Sequence, residues 1–102
     1  MIHDPERVEA IRDRVAAEQQ MISDLEDRIK DARIREYLGM ARNLLGDVES
    51  VFLGRLTEES RTANEEARWL DGAELTLQLA TYYRKLVQDI FSKYGPNVKA
   101  VG

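Results

Sequence analysis

The sequence predicts an all-α protein of three helices, a helical hairpin and one long C-terminal helix, in a coiled-coil-like bundle formed as a homo-oligomer. Apolar residues recur at helical spacing along most of the chain, and no interior segment alternates apolar and polar residues as a strand does. The two prolines, Pro5 and Pro96, lie near the ends of the chain. The predicted single domain, 1–102, has helices at 5–31, 34–55 and 61–94 and a flexible tail at 95–102.

The first helix is predicted to begin after Asp4, which caps it, with Pro5 at the first helical position. The residues that follow repeat every seven positions, which is typical of a coiled-coil seam. Glu18 interrupts this seam, and it either fixes the packing register at a cost in stability or extends to the rim. The apolar seam residues are Val8, Ile11, Val15, Ile22, Leu25, Ile29 and Ala32.

The apolar pattern changes phase between residues 30 and 36, where neither glycine nor proline marks a break. Either the chain turns there into a helical hairpin, with Asp31 as the cap of the second helix, or one helix continues with a rotated buried face. The phase change favours a break or a kink. One apolar row then holds Ile34, Leu38, Ala41, Leu45, Val48 and Phe52, and a second holds Tyr37, Met40, Leu44 and Val51.

Two glycines lie on one side of the second predicted helix, because Gly39 and Gly46 are seven residues apart. Glycine inside a helix costs about 1 kcal/mol relative to alanine. We expect close approach of another backbone to offset this cost; the alternative is that both are tolerated surface positions. Gly54 is expected at the end of this helix.

The third helix is the longest and is predicted to be the one on which the other two pack. Thr62 and Glu65 fit a capping box at its start, and Gly95 is suited to close it. Its apolar residues form two adjacent rows, which is wider than a surface helix needs. The first row is Leu70, Ala73, Leu77, Ala80, Val87, Phe91 and Tyr94, and the second is Leu75, Leu79, Tyr82, Leu86 and Ile90.

The width of these apolar faces predicts that copies of the chain associate as a homodimer or a larger oligomer, because one short chain would leave part of them uncovered. Residues 57–75 carry six acids and two bases, whereas residues 76–102 carry one acid and four bases. This asymmetry either suits antiparallel pairing of copies or compensates the helix dipole. The expected interface residues are Val8, Ile11, Val15, Ile22, Leu25, Ile29, Gly39 and Gly46.

The chain offers little for catalysis, and we expect no catalytic residues, metal ligands or cofactors. It lacks cysteine, and its one histidine, His3, lies at the start of the chain, where we expect it to be exposed. Asp71 and Glu74 have the spacing with which all-α nucleotide pyrophosphohydrolases hold Mg²⁺, but a partner motif is missing. A metal-dependent hydrolase is therefore the third hypothesis. A charged, exposed helix face explains this pair of carboxylates better.

Aromatic and basic residues of the last helix are the expected contacts for a ligand or a partner: Trp69, Tyr82, Tyr83 and Arg84. Such side chains bind phosphates and bases, so a small-ligand or nucleotide-binding oligomer is the second hypothesis. The alternative is that the tyrosines pack at the rim of the core and that Trp69 covers its end.

The net charge of −4 gives the chain no general attraction to nucleic acid. No stretch has the apolar length of a signal peptide or a membrane span, so we expect a cytoplasmic protein without membrane contact. Its expected partners are other copies of itself and another protein, which makes a non-enzymatic interaction protein the leading hypothesis.

One segment, Glu66-Ala67-Arg68-Trp69-Leu70-Asp71-Gly72-Ala73-Glu74-Leu75, resembles the early part of the last helix in small all-helical proteins encoded by tailed bacteriophages. The likeness covers about a third of the chain, and the whole chain is short, acidic and helical as those proteins are. It implies a viral protein located in the host cytoplasm or the virion, with a role as a virion part, a terminase component or an inhibitor of host defence.

Overall fold

The computed structural model describes residues 2–58 and 62–95, and all regular structure in this part of the chain is helical. The middle segments follow one another without a break, so they form one helical rod, and the described residues make three rods in all. The helices are α1, Pro5–Arg28; α2, Ala32–Asp47; a π-helical segment, Val48–Leu53; α3, Gly54–Glu58; and α4, Ala63–Tyr94.

α1 runs parallel to α4, as two polar contacts show, one near the start of α1 and one in its middle. Arg7 near the start of α1 is bonded to Glu74, whereas Glu18 in its middle is bonded to Arg84 further along α4. The order of contacts is thus the same along both helices.

α2 runs antiparallel to α4. Tyr37 at its start stacks on Tyr83, whereas Phe52 beyond its end meets Trp69 near the start of α4. The bundle measures 49 × 22 × 17 Å. A helix of 32 residues is about 48 Å long at 1.5 Å per residue, so α4 spans the molecule.

A real break separates the first two helices. α1 ends at Arg28, and Ile29 is extended, with φ −98° and ψ 124°. Asp31 then caps α2, because its Oδ1 accepts from the amides of Arg33 at 3.0 Å and Ile34 at 3.1 Å. The predicted break and cap are confirmed, and the alternative of one continuous helix is wrong.

The caps of the long helix and of α1 also agree with the sequence. Thr62 Oγ1 accepts from the Glu65 amide at 3.2 Å, and Asp4 accepts from the Arg7 amide at 3.2 Å. At the far end Gly95 has φ 80°, a conformation that glycine adopts without strain. Of the tail predicted at 95–102, all but this glycine lies outside the described residues.

The seam of α1 packs inside its own chain. The six seam residues expected at a contact between copies are each at most 7% exposed, because α2 and α4 cover them. The structure thus places them in the core of one chain, where they offer no surface to a second copy. They are Val8, Ile11, Val15, Ile22, Leu25 and Ile29.

The two apolar rows of α4 have different environments. Five residues of the first row, from Leu70 to Val87, are buried against α1 and α2, while Phe91 is half-buried and Tyr94 is exposed. The second row lies largely outside. The chain therefore covers one of the two rows by itself. The width of the two rows alone did not predict that a single chain would cover so much of them.

The middle helix changes its pitch where the sequence predicts a regular row. Gly54 donates its amide to the Glu49 carbonyl, five residues back, as in a π-helix. This wider turn brings Leu53 into the core, at 2% exposed, and leaves Phe52 half-buried at its side. Gly54 has ordinary helical angles, φ −58° and ψ −40°, so the predicted helix end at this residue is wrong.

Close packing occurs at a glycine other than the two expected ones, and the group that packs there is a side chain. A Cβ added at Gly39 or Gly46 would have nothing within 4 Å, so no other described helix packs on that side of either residue. A Cβ at Gly72 would lie 2.5 Å from Cε1 of Phe52. The expectation of close packing at Gly39 and Gly46 therefore does not hold within the chain, and Gly72 makes room for an aromatic ring.

We predict opposite effects for two glycine-to-alanine substitutions. Gly46→Ala should stabilise the fold by up to about 1 kcal/mol, because alanine favours the helix and the added methyl group meets no atom. Gly72→Ala should destabilise it by about 1–3 kcal/mol, because the ring of Phe52 must move. Thermal unfolding followed by circular dichroism measures both; equal shifts would show that the ring of Phe52 yields without cost.

Candidate interaction surface

The second apolar row of α4 forms an exposed surface, here called the outer face: Leu75, Leu79, Tyr82 and Leu86. Leu75 is 66% exposed, Leu79 45% and Tyr82 60%, while Leu86 is half-buried. Their spacing of four, three and four residues places them on one side of the helix, away from the buried row. Single exposed apolar residues are ordinary, but a row of large ones marks a surface that contacts something else.

The outer face continues toward α2 through an aromatic cluster. The ring of Tyr83 is half-buried and lies 5.7 Å from the ring of Tyr82 and 6.2 Å from that of Tyr37, which is stacked on it. Met40, one turn after Tyr37, is 48% exposed. The exposed apolar surface therefore includes one flank of α2 as well as the outer face.

Arg84, expected at a ligand or partner, is buried instead and serves the core. Its Nε donates to Oε2 of Glu18 at 2.8 Å, and its Nη2 donates to Oε1 at 2.7 Å. Thr81 donates to the same carboxylate at 2.9 Å, and Gln88 accepts from Arg84 Nη1 at 2.6 Å. Glu18 thus fixes the α1–α4 register through a two-pronged ion pair, and it does not reach the rim.

The ion pair holds both groups charged. Burial alone would raise the pKa of Glu18, but hydrogen bonds from Arg84 and Thr81 outweigh it and hold that pKa below its ordinary value. The bond to Glu18 raises the pKa of Arg84. Because Arg84 is buried and its charge is balanced by Glu18, it is not presented to a phosphate in solvent.

Trp69 lies away from the two tyrosines and covers one end of the core. Its ring meets Phe52 edge-on, with 5.8 Å between the ring centroids, and the guanidinium carbon of Arg55 lies 5.4 Å from the ring centroid. The four residues expected at one ligand therefore point to different neighbours: Trp69 to Phe52, Tyr83 to α2, and Arg84 to α1. Only Tyr82 is mainly exposed.

The carboxylates with magnesium-type spacing already share a cation. Arg7 donates from Nη2 to both Asp71 and Glu74, and these two bonds raise the pKa of Arg7. A metal ion here would have to displace the guanidinium group. Among residues 2–58 and 62–95 no group of three or more His, Cys, Asp or Glu side chains is placed to hold a metal.

Sequence reasoning missed a second buried carboxylate, Glu66, which is 2% exposed. It accepts the backbone amide of His3 through both oxygens, at 2.8 and 3.0 Å, and that of Asp4 at 2.8 Å. It therefore ties the start of α1 to the first turn of α4. Its position resembled that of any acid in the first turn of a helix, so the sequence carried no signal of this contact.

An open groove of about 260 Å³ lies between the ends of α1 and α4 and is lined by Met21, Arg28, Gln88 and Phe91 among others. None of the four expected ligand contacts belongs to it. In the described part of the chain, no helix combines the length and apolar character that crossing a bilayer requires.

Comparisons of the chain with models of known protein families, with curated proteins and with solved structures gave no match.

We predict that Glu18→Ala destabilises the fold by about 3–5 kcal/mol, because Arg84 then stays buried without its carboxylate. The double variant Glu18→Leu/Arg84→Met should recover most of that loss, since apolar side chains of similar volume replace the pair. Urea unfolding measures both. A loss below about 1 kcal/mol for Glu18→Ala would show that this pair does not fix the packing.

We also predict a pH dependence that originates at Glu18. The pKa of this carboxyl is lower in the folded chain than in the unfolded chain. Its contribution to the free energy of unfolding is therefore complete above the unfolded pKa of about 4.3, and it is lost as the pH falls through the folded pKa. The unfolding temperature of the native chain should fall more steeply below about pH 4 than that of Glu18→Gln. Parallel curves for the two proteins would contradict this origin.

Proposed function

We propose that this chain is a non-enzymatic helical interaction protein that associates with a second copy of itself through the outer face of α4. The observation that carries the proposal is the exposure of Leu75, Leu79 and Tyr82 in one row of the longest helix. Burying a large apolar side chain contributes about 1.5–3 kcal/mol, so covering this row on two copies supplies a substantial driving force.

A second helix of the same kind fits this surface well. A long, straight row of apolar side chains is complementary to another such row, as in helix bundles, and a twofold pair uses the same patch on both copies. The flank of α2 with Tyr37 and Met40 adds apolar area beside it. Two three-helix bundles would then share one larger helical core.

The other hypotheses have less support. A nucleotide-binding site would lack the cation expected at Arg84, because the guanidinium group of Arg84 is bonded to Glu18. In a magnesium-dependent hydrolase, the metal ion would have to displace Arg7 from Asp71 and Glu74. A phage origin, a role in virion assembly or in contact with a host protein, and a cytoplasmic location stay predictions.

We predict that the native chain has twice the mass of the 11.7 kDa chain in size-exclusion chromatography with light scattering. Leu79→Glu places two charges at the centre of the shared apolar surface and should reduce the mass to that of one chain. Ala17→Glu, at an exposed position of α1, is the matched control and should leave the mass unchanged. A native chain with a single-chain mass at every concentration would contradict the proposal.

A further inference from the structure

The charges that flank the outer face specify how two copies pair. We propose that α4 packs antiparallel on α4 of a second copy, across a twofold axis between Gln78 and Leu79, with Arg68 opposite the partner's Asp89. This inference rests on the proposed self-association and adds its orientation and register.

The register follows from the spacing of the outer residues. Arg68, Leu75, Tyr82 and Asp89 lie seven residues apart, so they follow one line along the helix surface. Leu75 and Tyr82 are equally distant from the point between Gln78 and Leu79, and so are Arg68 and Asp89. An antiparallel copy centred there therefore sets Leu75 against the partner's Tyr82. At about 1.5 Å per residue, Arg68 and Asp89 each lie about 16 Å from the axis.

A neighbouring line repeats the same arrangement with its signs reversed. Glu65, Gly72, Leu79, Leu86 and Lys93 are also seven residues apart, with the acid at the start and the base at the end. About the same axis, Glu65 lies opposite the partner's Lys93 to within one residue, or about 1.5 Å along the helix. Leu79 and Leu86 form the apolar middle of this line, because Gly72 lies under the ring of Phe52 of its own chain, and both lines have ends of opposite charge.

This pattern distinguishes the two orientations of a helix pair. Antiparallel copies bring opposite charges together at both ends of both lines, whereas parallel copies in register bring Arg68 to the partner's Arg68 and Asp89 to the partner's Asp89. Like charges at an interface disfavour the wrong pairing. The charges therefore select the antiparallel arrangement.

The two charges of the first line are available for such a contact. Arg68 and Asp89 are exposed, and neither takes part in an ion pair among residues 2–58 and 62–95. Asp89 acts on the buried Arg84 only through space, and Arg84 is already paired with Glu18.

Charge reversal tests the register. We expect Arg68→Glu and Asp89→Arg each to raise the dimer dissociation constant about tenfold in low salt, because two contacts per dimer become repulsive. The double variant Arg68→Glu/Asp89→Arg should return to within about threefold of the native value, since it restores opposite charges. Sedimentation equilibrium measures the constants, and Arg12→Glu, at an exposed position of α1, is the control that should change little.

Cross-linking tests the orientation independently of charge, and the chain has no cysteine of its own. Arg68→Cys/Asp89→Cys should form a disulfide-linked dimer under mild oxidation. Arg68→Cys alone should not, because in the antiparallel pair its two copies lie about 32 Å apart.

The outcomes separate the two proposals. A native dimer that Leu79→Glu dissociates, but whose double charge variant is not restored or whose Arg68→Cys variant cross-links alone, would overturn the antiparallel register and keep the self-association. A native chain that stays a single molecule would overturn both.

Discussion

The ion pair between Glu18 and Arg84 determines how the long helix is oriented in the bundle. A carboxylate in the middle of an apolar seam must find a buried partner, and in this chain the guanidinium group of Arg84 meets it with two hydrogen bonds. That contact sets α1 alongside α4 in one register. It also turns one side of α4 inward, because Leu77 and Ala80, close to Arg84 in the helix, then lie in the core.

The exposed outer face is a geometric consequence of that orientation. Two neighbouring helices cover roughly half the circumference of a third, and α4 carries apolar residues over a wider arc than this. The first row is covered by α1 and α2, whereas Leu75 and Tyr82 of the second row are exposed to solvent. Intramolecular packing and the proposed pairing of copies therefore use different sides of the same helix.

Features that depend on a few neighbouring residues could be predicted from the sequence. The caps at Asp4, Asp31 and Thr62 and the closing Gly95 are local, and the phase change located the break between α1 and α2. Periodicity shows that a face is buried but does not say what covers it, and the seam residues of α1 that we expect between copies lie inside the chain.

Contacts between distant residues were not predictable in the same way. Nothing near Glu18 indicates that its partner is Arg84, and nothing near Gly72 indicates that the ring of Phe52 lies over it. Phe52 and Leu53 are both apolar, so the pattern alone does not show which one enters the core. The outer face was visible as a second apolar row, but only the packing of α1 and α2 shows which row is left outside.

The π-helical segment Val48–Leu53 has a consequence for how the chain tolerates a change of length. Its hydrogen bonds reach five residues back, so each hydrogen-bonded turn of the segment contains one residue more than in the α-helix around it. Removing one residue from its solvent-facing side, such as Ser50, would convert the turn to a regular α-helix while Leu45 and Leu56 keep their places. In the other helices, the same deletion would rotate every later side chain away from the core. A lineage of such proteins would therefore be expected to vary in length here first.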